Sequence, residues 1–269
     1  MIEDVTNLWL VHPVADRLLP TALRLGIHPN TVSFTGMAFG ALAGWCYWHW
    51  QQPLFVLAGF LLMVGWHVMD GLDGKLARAS GKTSPLGRLI DGVCDYLTFG
   101  FVLLPIVLSL PQWRWALALA LVSGACHAVQ SAWYEGEREA WKRRSRGVFT
   151  TETRPSSGIG IERLYNWVEQ RLGSGARPID AALEANPALL PAYLAESAPL
   201  MRRLNLLSAN NRTIAIALAC LIGQPKLYWY WDIVVLTLLA MAMAWQLRQC
   251  ETTLTLRHAI PGRHGHVGG

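Results

Sequence analysis

Six runs of predominantly apolar residues, at 31–50, 54–70, 86–110, 113–133, 205–223 and 228–246, decide what this chain can fold into. About 20 such residues in helical form cross the hydrocarbon core of a bilayer. A water-soluble globule would need a polar surface that is missing here. Only 15% of the 269 residues are charged, against about 25% in ordinary soluble domains. With 52% of its residues hydrophobic, the chain is equally far from the composition of disordered segments. The 13 tryptophans suit membrane–water interfaces, where a ring with one polar edge is favoured. The expected fold is an all-α integral membrane protein of six transmembrane helices. Its five cysteines (46, 94, 126, 220 and 250) lie far apart without a CxxC pair, and read as buried thiols.

Basic residues set the orientation. With the N-terminus inside, the short outer loops fall near 51–53, 111–112 and 224–227. Of the 23 Lys and Arg residues, only Arg114 and Lys226 then lie outside. Both termini are therefore expected on the cytoplasmic side of what we take as the bacterial inner membrane. The net charge of +5 reads as basic inner loops, so no nucleic-acid partner is expected. The chain opens with Glu3 and Asp4 and lacks the basic start of a cleavable signal. Residues 1–29 read as an N-terminal segment that holds an interfacial helix over 8–25, an ordinary helix packed on the bundle fitting as well. Residues 30–134 would form helices 1–4, and 135–204 a cytoplasmic insertion between helices 4 and 5. That insertion holds a helical pattern at 159–172 and an amphipathic segment at 181–204 broken by Pro187, Pro191 and Pro199. Residues 205–249 would form helices 5 and 6, and 250–269 a flexible tail whose histidines, among them His258, read as solvated.

Four aspartates sit where the lipid-facing pattern should be purest. Intramembrane carboxylates are costly and point to function. Asp70 and Asp73 are three apart, Asp91 and Asp95 four apart, so each pair shares a helix face. A short Gly- and Pro-containing turn, 81–87, brings the two helices side by side and antiparallel. Four like charges facing one another across a groove call for cations, and an all-oxygen donor set suits Mg²⁺ or Mn²⁺. Two such ions can clamp a phosphate for in-line displacement. Gly71, Gly74 and Gly87 leave room for a ligand, and Arg78 offers a guanidinium fork to a diphosphate. His67 and His127, inside the runs, read as hydrogen-bonded packing residues.

The stretch Asp70-Gly-Leu-Asp73-Gly74-Lys-Leu-Ala77-Arg78, eight residues, then Gly87-Arg-Leu-Ile-Asp91-Gly-Val-Cys-Asp95 resembles the signature of the CDP-alcohol phosphotransferases. That signature runs D-x-x-D-G-x-x-A-R, a spacer, then G-x-x-x-D-x-x-x-D, and every fixed position is present. The resemblance is strong over residues 25–110. It implies six membrane helices and two Mg²⁺ or Mn²⁺ ions on Asp70, Asp73, Asp91 and Asp95, with Asp95 as general base and Asp91 beside it in catalysis. It also implies a CDP pocket at Asp73, Gly74, Ala77, Arg78 and Gly87. Asn30 and Ser33 resemble a Pro-Asn-x-x-Thr/Ser element that helps hold the nucleotide, although Asn30 or Thr31 reads equally well as a helix cap. Ser84 faces the same pocket by position.

The implied reaction belongs to phospholipid biosynthesis. It moves a substituted phosphate from a CDP-alcohol to the hydroxyl of a second alcohol and releases CMP, with one partner a membrane lipid. In the preferred reading the donor is CDP-diacylglycerol and the acceptor a small polar alcohol. In the other, a soluble CDP-amino-alcohol or CDP-polyol meets a lipid acceptor. A phosphorylated acceptor would need a basic pocket, for which Arg138, Lys142, Arg143, Arg202, Arg203 and Arg212 are the candidates. A Mg²⁺-dependent membrane prenyltransferase also uses paired acidic motifs, but on widely separated helices. Many relatives pair, so a homodimer is expected. Gly36-x-x-x-Gly40 suits either a dimer contact or packing within the bundle.

Overall fold

The computed structural model describes residues 2–151 and 175–259. These are helical almost throughout, with no strand among them. A π-helical turn, Asn7–Val11, leads into α1 (His12–Arg24), followed by α2 (Pro29–Trp48), α3 (Pro53–Ala79), α4 (Pro85–Ser109) and α5 (Trp113–Ser145). Then come α6 (Pro178–Ala185), a 3₁₀ turn at Pro187–Leu189, α7 (Leu190–Leu204) and α8 (Ala209–Leu221). The last rod is α9 (Lys226–Tyr230), π-helical Trp231–Leu236 and α10 (Thr237–Ala259).

Among the described residues, four helices are long and apolar enough to cross a membrane: Pro53–Ala79, Leu89–Ser109, Trp113–Ser145 and Lys226–Leu256. The molecule is thus a multi-pass membrane protein by its helices, but the expected six spans are not all met. The run at 31–50 does form a helix of 20 residues, α2. Asn30, Thr31, Ser33, Thr35 and three glycines dilute its apolarity. The run at 205–223 falls short for another reason. Ser208 takes an extended conformation and its hydroxyl caps the helix at Asn211, while Gly223 turns at φ 77 just past the far end. The 13 residues of α8 span about 20 Å at 1.5 Å each, less than a hydrocarbon core of about 30 Å.

Packing follows the small residues, as expected where lipid removes the hydrophobic drive for helices to associate. α2 lies against both α3 and α4. A β-carbon on Gly36 would meet Met69 and Trp66 of α3, and one on Gly40 would meet Thr98 of α4 at 2.5 Å. The Gly36/Gly40 pattern therefore serves packing within the bundle. A core of Tyr47, Val56, Met63, Trp66, Val102 and Ile106 fills the space between α2, α3 and α4, and Trp229 and Ile216 join it from the last helices. Large apolar side chains such as Leu61, Leu121, Leu238 and Met241 face outward.

The helix expected to stop near Trp133 runs on to Ser145, because Glu-Gly-Glu-Arg-Glu-Ala-Trp-Lys-Arg-Arg is dominated by good helix formers. Likewise residues 250–259, expected as the start of a flexible tail, are helical as far as Ala259. Glu251 is buried there and accepts hydrogen bonds from Arg144 (2.8 Å) and Arg177 (3.0 Å). The prolines of 181–204 behave as their chemistry requires: Pro187 opens the 3₁₀ turn, Pro191 sits in the first turn of α7, and only Pro199 lies inside a helix. The helical pattern at 159–172 and the residues from 260 onward lie outside the described residues. Cys46, Cys94 and Cys220 are buried and no disulfide occurs among the described residues.

The N-terminal segment is tied down by polar contacts from distant sequence. Asp4 accepts from Ser208 (2.8 Å), Asn7 accepts from Asn210 (2.7 Å), and the Ile2 carbonyl accepts from Asn205 (3.1 Å). Val11 and Ala15 press on α3 at Gly71, where a β-carbon would lie 3.0 Å from the Val11 methyl. Gly71 thus makes room for the N-terminal segment. Outward, Trp9, Leu10, Leu18 and Leu23 are exposed, the face an interfacial helix would lay on lipid.

Candidate active site

The end of α3 and the start of α4 are built by local chemistry. Gly81 adopts φ 67, which lets Lys82 N–H reach the Ala77 carbonyl (2.9 Å) and ends α3. Ser84, in extended conformation, then accepts from Gly87 N–H (3.0 Å) and starts α4 with Pro85 in its first turn. The two helices fold back on one another, and their acidic faces meet. One carboxylate oxygen from each of Asp70, Asp91 and Asp95 lies within 4.8 Å of the others. Asp73 stands beside them and accepts a 2.6 Å hydrogen bond from the Ser33 hydroxyl of α2. Asp73 also meets Asp91, and Asp70 meets Asp95, side chain to side chain.

This cluster divides two cavities. The first, of about 490 Å³, is bordered by Asp73 and Asp91. It is lined by every residue expected at the nucleotide: Asn30, Ser33, Gly74, Ala77, Arg78, Ser84 and Gly87. His28 caps α2 by accepting from Asn30 N–H (3.3 Å), so the cap expected at Asn30 or Thr31 lies two or three residues earlier. Asn30 lines the cavity instead. A side chain at position 87 would crowd Ser84 Oγ at 3.1 Å and approach Asn30 Oδ1 at 3.9 Å, so glycine keeps this wall open. Arg78, Lys82 and Thr83 complete the rim, and Arg78 and Lys82 are exposed.

The second cavity, of about 330 Å³, lies on the other side and is bordered by Asp70 and Asp95. Asn7, Val11 and His12 close it from the N-terminal segment, Ser208 and Asn210 from the cap and first turn of α8, and His127, Ser131, Tyr134, Glu135 and Arg138 from α5. His67 lines it too, with Nε2 2.9 Å from Thr213 Oγ1. His67 is thus the hydrogen-bonded packing residue expected, His127 packs edge-on to the Phe99 ring, and both also face a cavity.

Of the basic residues expected to bind an acceptor, Arg138 alone lines this cavity. It is ion-paired to Glu3 and to Glu135 (3.3 Å), while Lys142 pairs with Glu3 at 2.7 Å. Arg143 turns away to Asp180 (2.9 Å). Arg202 and Arg203 are exposed on α7, outside either cavity lining. Arg212 points inward as expected, but into protein: it is fully buried, paired to Asp232, and hydrogen-bonded to Gln130 (2.7 Å) and the Leu207 carbonyl (3.3 Å). A cation in so dry a place needs its partner, and this one builds the bundle.

Sequence reasoning did not find Asn7, His12, Ser208 or Asn210 at the second cavity, nor Glu3 behind its Arg138. They come together through contacts between residues far apart in sequence, such as Asn7 with Asn210, and no local pattern announces that. Lys82 and Thr83, by contrast, sit within the turn between the motif halves and were within reach.

The donor set fits a hard divalent cation. It consists of carboxylate oxygens gathered within 4.8 Å, and among the described side chains no lysine or arginine pairs with any of the four aspartates. Asp70, Asp91 and Asp95 would hold the first ion and Asp73 would contribute to a second.

Comparison with known proteins agrees with this geometry. A sequence model described as CDP-alcohol phosphatidyltransferase matches residues 26–147, which covers both acidic pairs, the whole lining of the first cavity and all of α5. Archaetidylinositol phosphate synthase of Pyrococcus horikoshii is 37% identical over 99 residues, 36% of this chain and 50% of that protein. The bifunctional IPC transferase and DIPP synthase of Thermococcus kodakarensis is 33% identical over 91 residues, 32% of this chain and 21% of that protein. The chain thus spans half or less of the curated relatives it matches. No solved structure matches. The motif, the fold that carries it and the model match thus agree: residues 26–147 of this chain are similar to the CDP-alcohol phosphatidyltransferase family.

Proposed function

We propose that the protein is a membrane transferase of phospholipid biosynthesis, moving a substituted phosphate from a CDP-alcohol to the hydroxyl of a second alcohol with release of CMP. One observation carries the reading: the four aspartates stand between two cavities, Asp73 and Asp91 on one, Asp70 and Asp95 on the other. A donor diphosphate in the first cavity and an acceptor hydroxyl in the second would meet at the shared acids. The preferred donor is CDP-diacylglycerol or a similar CDP-lipid. The Pyrococcus relative is named for a lipid product, archaetidylinositol phosphate, and a lipid donor with a small polar acceptor extends that pattern to this chain. The bias of Lys and Arg toward one set of loops supports a site at the cytoplasmic face, where a soluble acceptor would enter from water and a lipid from the side.

Ser33 orients Asp73, and Arg78 with Lys82 would hold the diphosphate, while Gly74, Ala77 and Gly87 leave room for the nucleotide. Divalent cations held by the aspartates would neutralise the diphosphate and stabilise charge on the departing CMP oxygen. Asp95, on the acceptor side, takes the proton from the attacking hydroxyl. The hydroxyl oxygen bonds to the phosphorus that bears the donor alcohol, and the bond from that phosphorus to the bridging oxygen breaks. Fixing both partners against one acid cluster supplies much of the rate.

The test is CMP release by purified protein with Mg²⁺ or Mn²⁺. One panel offers CDP-diacylglycerol with small alcohols, and the other offers CDP-choline and CDP-ethanolamine with diacylglycerol. Turnover confined to the first supports the reading, and turnover confined to the second reverses donor and acceptor. Undiminished turnover in excess chelator refutes the metal requirement.

A further inference from the structure

The two cavities differ in the state of their cations. In the first, Arg78 and Lys82 stand exposed, and no ion pair engages either among the described residues. That is the provision a diphosphate needs. In the second, Arg138 is the one lysine or arginine of the lining among the described residues, and it is already engaged by Glu3 and Glu135. Lys142, the next cation along α5, is held by the same Glu3 at 2.7 Å. Two carboxylates thus balance two cations. The neighbouring basic groups are spent as well: Arg143 and Arg144 on Asp180, Arg177 on Glu137 and Glu251, Arg212 on Asp232. Burial, and then the charge of Lys75, push the His12 imidazole below its usual range.

What the second cavity does offer is neutral hydrogen bonding. Ser131 lines it with a hydroxyl; the Tyr134 hydroxyl donates to Asn205 (3.0 Å) and the Asn210 amide to Asn7 (2.7 Å), and each of these groups has capacity for a further hydrogen bond. Arg138 Nε and His12 Nδ1 are buried without a partner, and a hydroxyl oxygen would satisfy such a donor at no cost in net charge. A phosphate dianion would instead have to enter a balanced site beside the acid cluster, or displace Glu3.

Resting on the transferase reading above, we propose that Glu3 is a specificity-determining residue: by holding Arg138 and Lys142 it reserves the second cavity for an uncharged polyhydroxyl alcohol and turns away the phosphate monoester of the same alcohol. In this the chain departs from the Pyrococcus relative, whose named product carries a phosphorylated headgroup.

The experiment compares glycerol and myo-inositol with their phosphate monoesters, using the full chain in detergent with CDP-diacylglycerol and Mg²⁺. For wild type, kcat/KM read by CMP release favours the free alcohol at least tenfold. Glu3→Gln frees the cation pair and moves that ratio at least tenfold toward the monoester. Adding Lys142→Gln restores charge balance and returns the ratio toward wild type, which a purely structural role for Glu3 would not do. Should Glu3→Gln not fold, Lys142→Gln alone must move the ratio further toward the free alcohol. A wild-type preference for the monoester overturns the proposal, as does a Glu3→Gln ratio within twofold of wild type. Absence of CMP release from every acceptor sinks the transferase reading instead. The same ratio is then taken from the ligand concentrations that raise Tm, and failure of the free alcohols to raise it overturns the proposal as well.

Discussion

Replacing Gly44 by alanine would place a methyl group where α4 comes closest to α2. The new carbon would overlap the Phe101 carbonyl oxygen and lie 2.8 Å from its carbonyl carbon. Carbon atoms in contact settle at about 3.5–4.0 Å, so one helix must retreat by about 1 Å. Backbone cannot swing aside as a side chain does. Overpacking of this kind costs about 1–3 kcal/mol, which lowers Tm without unfolding the protein. The larger effect falls on function. Phe101 lies six residues beyond Asp95, about 9 Å along a helix rising 1.5 Å per residue. Over so short a length α4 moves as a rod, carrying Asp91 and Asp95 away from Asp70 and Asp73. A misplacement of about 1 Å among reacting groups costs about 10² in rate. Gly44→Ala is therefore expected to lose about a hundredfold in kcat for CMP release, with a raised metal requirement. Gly65→Ala is the control, since its new carbon would sit at an ordinary 3.6 Å from the Phe39 ring. A Gly44→Ala protein with wild-type kcat and Tm would show that the α2–α4 approach does not position the acids.

Asp91→Asn and Asp95→Asn are each expected to abolish CMP release while the protein stays monodisperse in detergent, and full activity in both would remove the assigned chemistry. Arg212→Met leaves Asp232 buried without its cation and is expected to cost about 3–5 kcal/mol. Adding Asp232→Leu should recover much of that in denaturation measurements, and strictly additive losses would mean the pair is not coupled. Ser33→Ala removes the hydrogen bond to Asp73, a bond to a charged group worth about 1.5–3 kcal/mol; the loss should appear mainly in KM for the donor, and an unchanged KM would place the nucleotide elsewhere. Burial by itself would raise the Asp180 carboxyl, but the Arg144 hydrogen bond and charge, the Arg177 amide and Arg143 outweigh it and hold the group below its usual value. Its contribution is then complete above about pH 4 and lost as pH falls through the depressed folded value. Wild type should lose Tm more steeply below pH 4 than Asp180→Asn, and parallel acid limbs would refute the pairing.

The acid motif and the cavity beside Gly74, Ala77 and Gly87 were legible because their determinants are local. Asp70 and Asp73 share a face through helix geometry alone, as do Asp91 and Asp95, and the turn between them is closed by Gly81 and Ser84 within the same short stretch. Apolar runs announced the four long helices on length alone. The run at 205–223 was less reliable, because Ser208 broke a pattern that hydropathy could not see was capped.

By itself the sequence determined that the chain is a helical membrane protein with a metal-suited carboxylate cluster at one end of an antiparallel helix pair, because apolar length and helical spacing act within one turn or one helix. The tertiary structure alone decided which charges remain available. Arg212 became a strut once Asp232 met it across the bundle, and Arg138 lost its free charge once Glu3 arrived from the N-terminus. Charge neutralisation depends on distance in space between residues remote in sequence, and only folding sets that distance.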